Sequence, residues 1–274
     1  MKLSVIIPVY NEESTVSEVI ERVKAVPYEK EIIVVDDGST DATAARLSDA
    51  GGHPVVTIFT SPVNFGKGAA VRIGLAHVTG DIVVIQDADL ELSPEEYPRL
   101  LEPILRGQAD IVYGSRFLRG RDRVSWRTYL ANRLLACWVN LLYGSRLTDE
   151  ATAYKVFRAS VIKTLPLKCI GFEFCPEVTA KLLRSGYTVA EVPIGYRPRL
   201  PSEGKKVSYL RDGLKAAWTL LRLRFWKPPC PSSSVDALHA GSAGPGNPCQ
   251  GCGFGAVEQA HIRPGGSPDG DPSQ

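Results

Sequence analysis

Two aspartates separated by one residue follow a short apolar stretch of the chain. Asp87 and Asp89 flank Ala88 directly after the run Ile82–Ile85, which has the length and composition of a buried strand. Two carboxylates this close together repel each other unless a positive charge lies between them. Mg²⁺ or Mn²⁺ is a hard cation suited to such oxygens, and it binds diphosphate in turn. The pattern predicts a divalent-metal site with Glu91 as a third ligand, although Asp-x-Asp also occurs in solvated loops.

Two further polar clusters occur where apolar runs end. The run Leu3–Val9 leads into PVYNE at residues 8–12, and the run Glu31–Asp36 leads into DDGS at residues 36–39. A carboxylate after a strand can accept hydrogen bonds from ribose hydroxyls, and the glycines on either side of Lys67 let backbone approach a ligand. Ligands of parallel sheets collect at the carboxyl ends of the strands. These clusters and the two aspartates therefore predict one site at one edge of a sheet.

The elements that must position this site alternate between strand and helix. Such alternation predicts an α/β fold with a mostly parallel sheet covered by helices on both faces. An NAD-type Rossmann fold would need G-x-G-x-x-G after the first strand, where this chain has YNEE. The predicted strands are Leu3–Val9, Glu31–Asp36, Val55–Phe59, Asp81–Ile85 and Asp110–Tyr113, and the predicted helices are Glu13–Val26, Gly66–Val78 and Pro94–Arg106.

Charge is distributed unevenly along the 274 residues, although the net charge is only +2. Residues 1–115 carry a net −9, whereas residues 116–133 carry +5 and residues 197–227 carry +7. An acidic half and two basic segments can bind a metal and a polyanion together, or they can be solvated faces. Arginine is suited to bidentate phosphate binding. The basic residues of the first segment are Arg116, Arg119, Arg121, Arg123, Arg127 and Arg133.

The composition, 44% apolar and 23% charged, is that of a soluble globular protein. Met1 and Lys2 lead directly into an apolar strand, so we expect no signal peptide, and no apolar run reaches the ~18–20 residues of a spanning helix. The tail, residues 228–274, contains 8 Pro, 9 Gly and 6 Ser and is predicted to be disordered. Cys249 and Cys252 within it are too few for a structural zinc site. The folded unit is predicted to be 1–227, in the cytoplasm.

The polar motifs occur in a defined order along the chain. They are PVYNE, DDGSTD, NFGKGAA, QDADL and GSR, followed by TD at 148–149, YKVFR at 154–158, GFEF at 171–174, EGKK at 203–206 and RDG at 211–213. In this order they resemble those of the family 2 glycosyltransferases, and among them the dolichyl-phosphate mannose synthase type. The resemblance covers about residues 1–227 and implies a GT-A fold, with a donor-binding half at about 1–115 and an acceptor-binding half at about 116–227.

The resemblance implies an inverting transfer of a sugar from a GDP- or UDP-sugar to a polyprenyl phosphate, with Mg²⁺ or Mn²⁺ as cofactor. The residues expected around the nucleotide sugar are Pro8, Tyr10, Asn11, Glu12, Asp36, Asp37, Lys67 and Asp87. The expected metal ligands are Asp87, Asp89 and Glu91, and the expected ligands of the acceptor phosphate are Arg116, Arg127 and Lys205. The residues expected to carry catalysis are Asp89, Arg116 and Arg127.

The nature of the acceptor determines whether a base is needed. A phosphate is already an anionic nucleophile near pH 7, whereas a hydroxyl acceptor needs a general base. Glu173 lies where many hydroxyl-glycosylating relatives place an acid, so the alternative is a saccharide or other hydroxyl acceptor with Glu173 as base. A nucleotide-binding protein without turnover would not need the aspartate pair and Arg116. A nucleic-acid-binding module would explain only the basic segments, and we expect no nucleic-acid partner.

Two segments indicate contact with a membrane surface. Residues 208–226 place Leu210, Leu214, Trp218 and Phe225 at helical spacing among arginines and lysines, which is typical of an interfacial helix. A helix packed on the domain with a solvated basic face is the alternative. The apolar run Leu134–Tyr143 is a second candidate for contact with an isoprenoid chain.

Overall fold

The computed structural model describes residues 1–118, 120, 124–199 and 209–229, with the side chains of residues 209–211 left out. Residues Met1–Pro228 form one compact unit. The predicted tail lies outside the described residues except for Pro228 and Pro229, and its disorder stays a prediction.

A seven-stranded sheet runs through the centre of this unit. The spatial order is β3-β2-β1-β4-β6-β5-β7, and every neighbouring pair is parallel except the two pairs that β6 makes with β4 and β5. The α/β architecture with a mostly parallel sheet is therefore confirmed. The strands are β1 (Leu3–Val9), β2 (Lys30–Asp36), β3 (Val56–Thr60), β4 (Ile82–Ile85), β5 (Ile111–Ser115), β6 (Lys155–Arg158) and β7 (Ala190–Pro193).

Helices cover both faces of the sheet, as expected from strands that are apolar on both sides. One face carries α1, α2 and α4, and the other carries α3 with the helices that follow β5. A 3₁₀ turn at Pro94–Glu96 precedes α4, which shortens the predicted helix. The helices are α1 (Val16–Ala25), α2 (Thr43–Ala50), α3 (Lys67–Ala76), α4 (Tyr97–Leu105), α5 (Trp126–Tyr143), α6 (Ala159–Ile162), α7 (Phe174–Arg184) and α8 (Tyr209–Leu223).

Helix α5 has sharp boundaries because its caps are encoded in the sequence. The Ser125 hydroxyl accepts a hydrogen bond from the Thr128 amide at 3.2 Å and begins the helix. Gly144, with a φ of 68°, adopts the left-handed conformation that ends it.

Across the described part of the chain, every helix is too short or too polar to span a bilayer.

The direction of the strands determines where the polar clusters meet. Strands β1, β2, β4 and β5 all point the same way, so their carboxyl ends lie at one edge of the sheet. Strand β6 runs in the opposite direction, which brings the residues before Lys155 to that same edge. Segments far apart in sequence therefore meet there.

Candidate active site

A cavity of about 900 Å³ lies at this edge of the sheet. Its polar end gathers most of the residues predicted for the nucleotide sugar, the metal and the acceptor phosphate. Those that line it are Pro8, Tyr10, Glu12, Asp37, Lys67, Asp87, Asp89, Glu91 and Arg116.

Asn11 and Asp36 do not line the cavity but shape the loops beside it. Asn11 Oδ1 accepts a hydrogen bond from the Thr40 amide at 2.8 Å, with its own backbone in the left-handed region at a φ of 50°. Asp36 is buried, and its Oδ1 accepts from the Ser39 amide at 3.0 Å. Of the two neighbouring aspartates, Asp37 is the one at the cavity wall. Direct contact of Asn11 or Asp36 with a nucleotide stays a prediction.

The remaining predicted residues lie away from the cavity lining or outside the described residues. Arg127 is exposed, and its guanidinium lies 5.6 Å from the centre of the Trp126 ring. Glu173 immediately precedes α7 and does not line the cavity. Lys205 lies outside the described residues. The roles of Arg127 and Lys205 stay predictions.

Lys67 lies at the cavity wall between two positions, Gly66 and Gly68, that have no room for a side chain. Gly66 has a φ of 107°, and a Cβ added there would lie 2.6 Å from the Ile170 carbonyl oxygen. A Cβ on Gly68 would lie 2.6 Å from the Cys169 carbonyl oxygen. The loop before α7 thus packs directly on the start of α3, where Lys67 is the first helical residue.

The Lys67 ammonium forms an ion pair with the first aspartate, with Nζ 2.5 Å from Asp87 Oδ1. Burial lowers the pKa of Lys67, but the carboxylates of Asp87 and Asp89 raise it above its ordinary value. Lys67 therefore stays charged near pH 7 and can turn toward a bound diphosphate.

The carboxylates predicted to bind a metal, those of Asp87, Asp89 and Glu91, concentrate negative charge in one place. Burial, together with the nearby carboxylates of Asp87 and Glu91, raises the pKa of Asp89 to about 7. A hard divalent cation between Asp87 and Asp89 would remove this repulsion, so the oxygen donor set fits Mg²⁺ or Mn²⁺.

The Glu91 carboxylate is hydrogen-bonded to the segment that follows β7. Its Oε2 accepts from the Tyr196 hydroxyl at 3.1 Å, and its Oε1 accepts from the Arg199 amide at 2.9 Å. Within the described ranges, no group of three or more His, Cys, Asp or Glu side chains forms a ready-made metal site. Asp87 and Asp89 are accordingly the better candidates for ligands.

Arg116 lies at the cavity wall in a buried ion pair that the sequence did not reveal. Its Nε and Nη2 each donate to the Asp149 carboxylate at 2.7 Å, and its backbone amide donates to Asp149 Oδ2 at 3.0 Å. Burial lowers the pKa of Arg116, but Asp149 raises it well above its ordinary value. The pair uses Nε and Nη2, which leaves Nη1 as the nitrogen with which Arg116 can bind a phosphate oxygen.

Arg199 is a second cation that sequence reasoning missed. It forms a bidentate ion pair with Glu12, and its Nε donates to the Asp89 carbonyl at 3.2 Å. These contacts connect the end of β1 with the loop after β4. Strand β7, which precedes Arg199, has only four residues and all of them are half-buried. No alternation of polar and apolar residues marked the segment.

Glu150 is a fully buried carboxylate at the cavity wall. Neither of its oxygens has a hydrogen-bond partner in the described part of the chain. The Thr179 hydroxyl, which bonds to Tyr113 at 2.9 Å, lies near enough to lower the pKa of Glu150 but outside hydrogen-bonding geometry. Burial outweighs this and raises the pKa.

The far end of the same cavity is apolar. It is formed where α5 and α8 pack together, with the Trp138 indole donating to the Ala217 carbonyl at 3.2 Å. Leu134 and Leu214 line the cavity here and are also largely exposed to solvent. The cavity therefore joins a charged end at the sheet to an apolar opening between two helices.

Residues 4–166 match the model of the family described as glycosyl transferase family 2. The chain belongs to this family. It is 33% identical over 246 residues to undecaprenyl-phosphate mannosyltransferase of Micrococcus luteus, a match that covers 82% of this chain and 99% of that protein. It is 31% identical over 214 residues to dolichol-phosphate mannosyltransferase of Pyrococcus furiosus, covering 75% of this chain and 59% of that one.

The fold is also similar to that of a solved glycosyltransferase. Glucosyl-3-phosphoglycerate synthase from Mycobacterium tuberculosis, in complex with Mn²⁺, UDP and phosphoglyceric acid, superimposes with a TM-score of 0.64 at 26% identity. The match covers 84% of this chain and 80% of that one. The GT-A glycosyltransferase fold expected from the motifs is thus confirmed, and the chain is a glycosyltransferase.

Proposed function

We propose that this glycosyltransferase moves a sugar from a nucleoside-diphosphate sugar to a polyprenyl phosphate, with a divalent cation bound at Asp87 and Asp89. The observation that carries the proposal is the continuous cavity with one charged and one apolar end. An acceptor with an anionic head and a long apolar chain matches both ends. The Micrococcus and Pyrococcus relatives, an undecaprenyl-phosphate and a dolichol-phosphate mannosyltransferase, support the same acceptor class.

The donor occupies the acidic end of the cavity. Tyr10 and Asp37 lie at the ends of β1 and β2, on the side expected for the nucleoside, while Lys67 faces Asp87 where the diphosphate binds. When bound, the cation stabilises the charge that develops on the departing diphosphate. Lys67 adds a positive charge beside the same leaving group.

The acceptor phosphate lies beside Arg116, whose direction is fixed by Asp149. One of its oxygens forms a bond to the anomeric carbon while the bond from that carbon to the diphosphate oxygen breaks. The bonding electron pair leaves with the diphosphate. No general base is required because the phosphate is already ionised, which agrees with Glu173 lying outside the cavity lining. A single displacement inverts the anomeric configuration.

A donor panel tests the proposal. Purified protein with Mg²⁺ or Mn²⁺, GDP- and UDP-sugars and a polyprenyl phosphate is expected to give a lipid-linked sugar with inverted configuration. Asp89→Asn is expected to abolish turnover, whereas Asp110→Asn, at an exposed aspartate paired with Arg158, is the matched control and keeps it. Transfer to a saccharide hydroxyl, with no product on the lipid phosphate, would overturn the proposal.

A further inference from the structure

Glu150 belongs to a segment whose backbone is anchored on both sides. The Lys155 ammonium donates to the Glu150 carbonyl at 2.7 Å, and the Asp149 amide donates to Glu191 Oε1 at 3.0 Å. Lys155 is itself fully buried, with its Nζ 3.7 Å from the centre of the Tyr113 ring. The backbone of Glu150 is therefore fixed, and its side chain is the part that can change conformation.

The carboxylate at the end of this side chain has no hydrogen-bond partner among the described residues, although it is fully buried. The Thr152 hydroxyl, two residues further on, has none there either. Burying a carboxylate without hydrogen bonds costs free energy, so each such group calls for an explanation. Because Glu150 lines the cavity, a turn about its side-chain bonds can present both oxygens to a ligand.

The charges around Glu150 place it near both of the phosphate positions that the proposed function requires. Burial raises the pKa of Glu150, and Arg116 is among the cations that lower it, so the proposed ligand of the acceptor phosphate lies within electrostatic reach. The Cys175 thiol also lines the cavity. Burial raises the pKa of Cys175, and the charges of Glu150, Lys67 and Asp87 all act on it. Glu150 is therefore close to the diphosphate end of the cavity as well.

The sugar that is transferred must lie between these two phosphates, because its anomeric carbon exchanges one phosphate oxygen for the other. Sugar hydroxyls are hydrogen-bond donors, and an ionised carboxylate can accept one at each oxygen. We propose that Glu150 binds two neighbouring hydroxyls of the donor sugar and thereby selects donors in which both are free. This inference rests on the proposed function and adds to it the class of sugar that the site accepts.

Isothermal titration calorimetry in the presence of Mg²⁺ tests the contact with two pairs of ligands. GDP-mannose and GDP, like UDP-glucose and UDP, differ only by the sugar. Glu150→Gln keeps the length of the side chain but removes its charge and one acceptor oxygen. We expect it to weaken binding of the nucleotide sugar that the wild type accepts at least about tenfold, and to leave binding of the matching nucleoside diphosphate unchanged. Glu102→Gln, at an exposed glutamate paired with Arg106, is the matched control and should bind all four ligands as the wild type does.

Monodeoxy analogues of the accepted nucleotide sugar identify the hydroxyls, and their binding to the wild type needs no variant. The wild type is expected to bind analogues that lack either of two neighbouring hydroxyls at least about tenfold more weakly than the parent. Glu150→Gln should lose most of this discrimination, which is a coupling that a merely structural carboxylate, or one bonded to an ordered water, would not produce. Equal weakening of nucleotide sugar and nucleoside diphosphate by Glu150→Gln would overturn the contact. So would a wild type that does not discriminate among the analogues.

These titrations contain no acceptor lipid, which separates the two proposals. If the coupling is observed but no polyprenyl phosphate is glycosylated, the proposed acceptor is wrong and the contact of Glu150 with the sugar stands. If lipid is glycosylated and the coupling is absent, only the contact is overturned. A wild type that binds none of the nucleotide sugars would refute both.

Discussion

The substitution Asp149→Asn tests how far the site depends on the buried ion pair with Arg116. The side chains of Asp149 and Arg116 are 0% and 12% exposed, so water cannot replace the lost partner. Asparagine keeps the shape but is neutral, and its amide nitrogen turns a donor toward the guanidinium. Breaking one side of a buried pair costs about 3–5 kcal/mol. We expect about 3 kcal/mol, because one oxygen still accepts a hydrogen bond.

This free energy corresponds to a fall in melting temperature of about 6–12 °C for a unit of this size. Differential scanning calorimetry measures it, and urea unfolding gives the free energy independently. The double variant Arg116→Met/Asp149→Asn removes both charges and keeps an oxygen that accepts from the Arg116 backbone amide, so we expect its stability to return to within about 1 kcal/mol of the wild type. Its transferase activity should be lost because Arg116, the proposed ligand of the acceptor phosphate, is gone. A melting temperature unchanged by Asp149→Asn would refute the buried-pair argument, and full activity of the double variant would refute the role of Arg116.

Four further substitutions test other parts of the structure. Gly68→Ala places a Cβ 2.6 Å from the Cys169 carbonyl oxygen, so we expect a loss of about 1–3 kcal/mol in unfolding free energy and weaker nucleotide binding by calorimetry. Glu177→Gln should lower the unfolding free energy by about 2–4 kcal/mol because the buried Glu177 carboxylate accepts several hydrogen bonds. Glu150→Gln should not lower it, because the Glu150 carboxylate accepts no hydrogen bond from the described residues. Burial raises the pKa of Glu31, but its hydrogen bonds lower it to about 2. Glu31→Gln should therefore cost about 1 kcal/mol at pH 7, a difference that shrinks as the pH falls from 4.5 toward 2.

Each of these predictions has a control. Gly52→Ala adds a Cβ with nothing within 4 Å and should leave nucleotide binding unchanged. Glu21→Gln removes an exposed carboxylate paired with Lys24 and should change the unfolding free energy at pH 7 by less than about 0.5 kcal/mol. Equal destabilisation by Glu177→Gln and Glu150→Gln would contradict the claim that the hydrogen bonds to Glu177 stabilise the fold. A stability difference for Glu31→Gln that stays constant from pH 7 to acid would contradict its low pKa.

The first half of the chain was largely predictable from the sequence. Its strands are uninterrupted apolar runs, and its polar motifs follow them directly, so Asp37 and Asp87 could be assigned to one edge of the sheet from the sequence. Lys67 was placed near the nucleotide only by the family resemblance. Helix α4, which ends at Leu105, was predicted to begin at Pro94, but the residues Pro94–Glu96 form a 3₁₀ turn before it. Helix α2 was missed because its two buried residues, Thr43 and Leu47, give too weak a period.

The second half was less predictable because its essential contacts are long-range. Strand β6 has only four residues, and nothing in YKVFR shows that it runs antiparallel between β4 and β5. Asp149 and Arg116 are 33 positions apart, and Glu12 and Arg199 are 187 apart. Local spacing carries no information about such pairs. The hydrogen bonds that Glu91 accepts from Tyr196 and Arg199 likewise depend on how the segment after β7 packs.

The insertion of β6 bears on how this protein can be made. Strand β6 lies between β4 and β5 in the sheet. In a chain of residues 1–115 alone, the edges of β4 and β5 that face β6 would therefore have no partner strand. Residues 1–115 are therefore not a module that can be expressed or exchanged by itself. During synthesis the sheet can close only after residue 158 has emerged from the ribosome. The sheet edge that carries the cavity thus forms late, and a chain that stops earlier exposes unpaired, aggregation-prone strand edges.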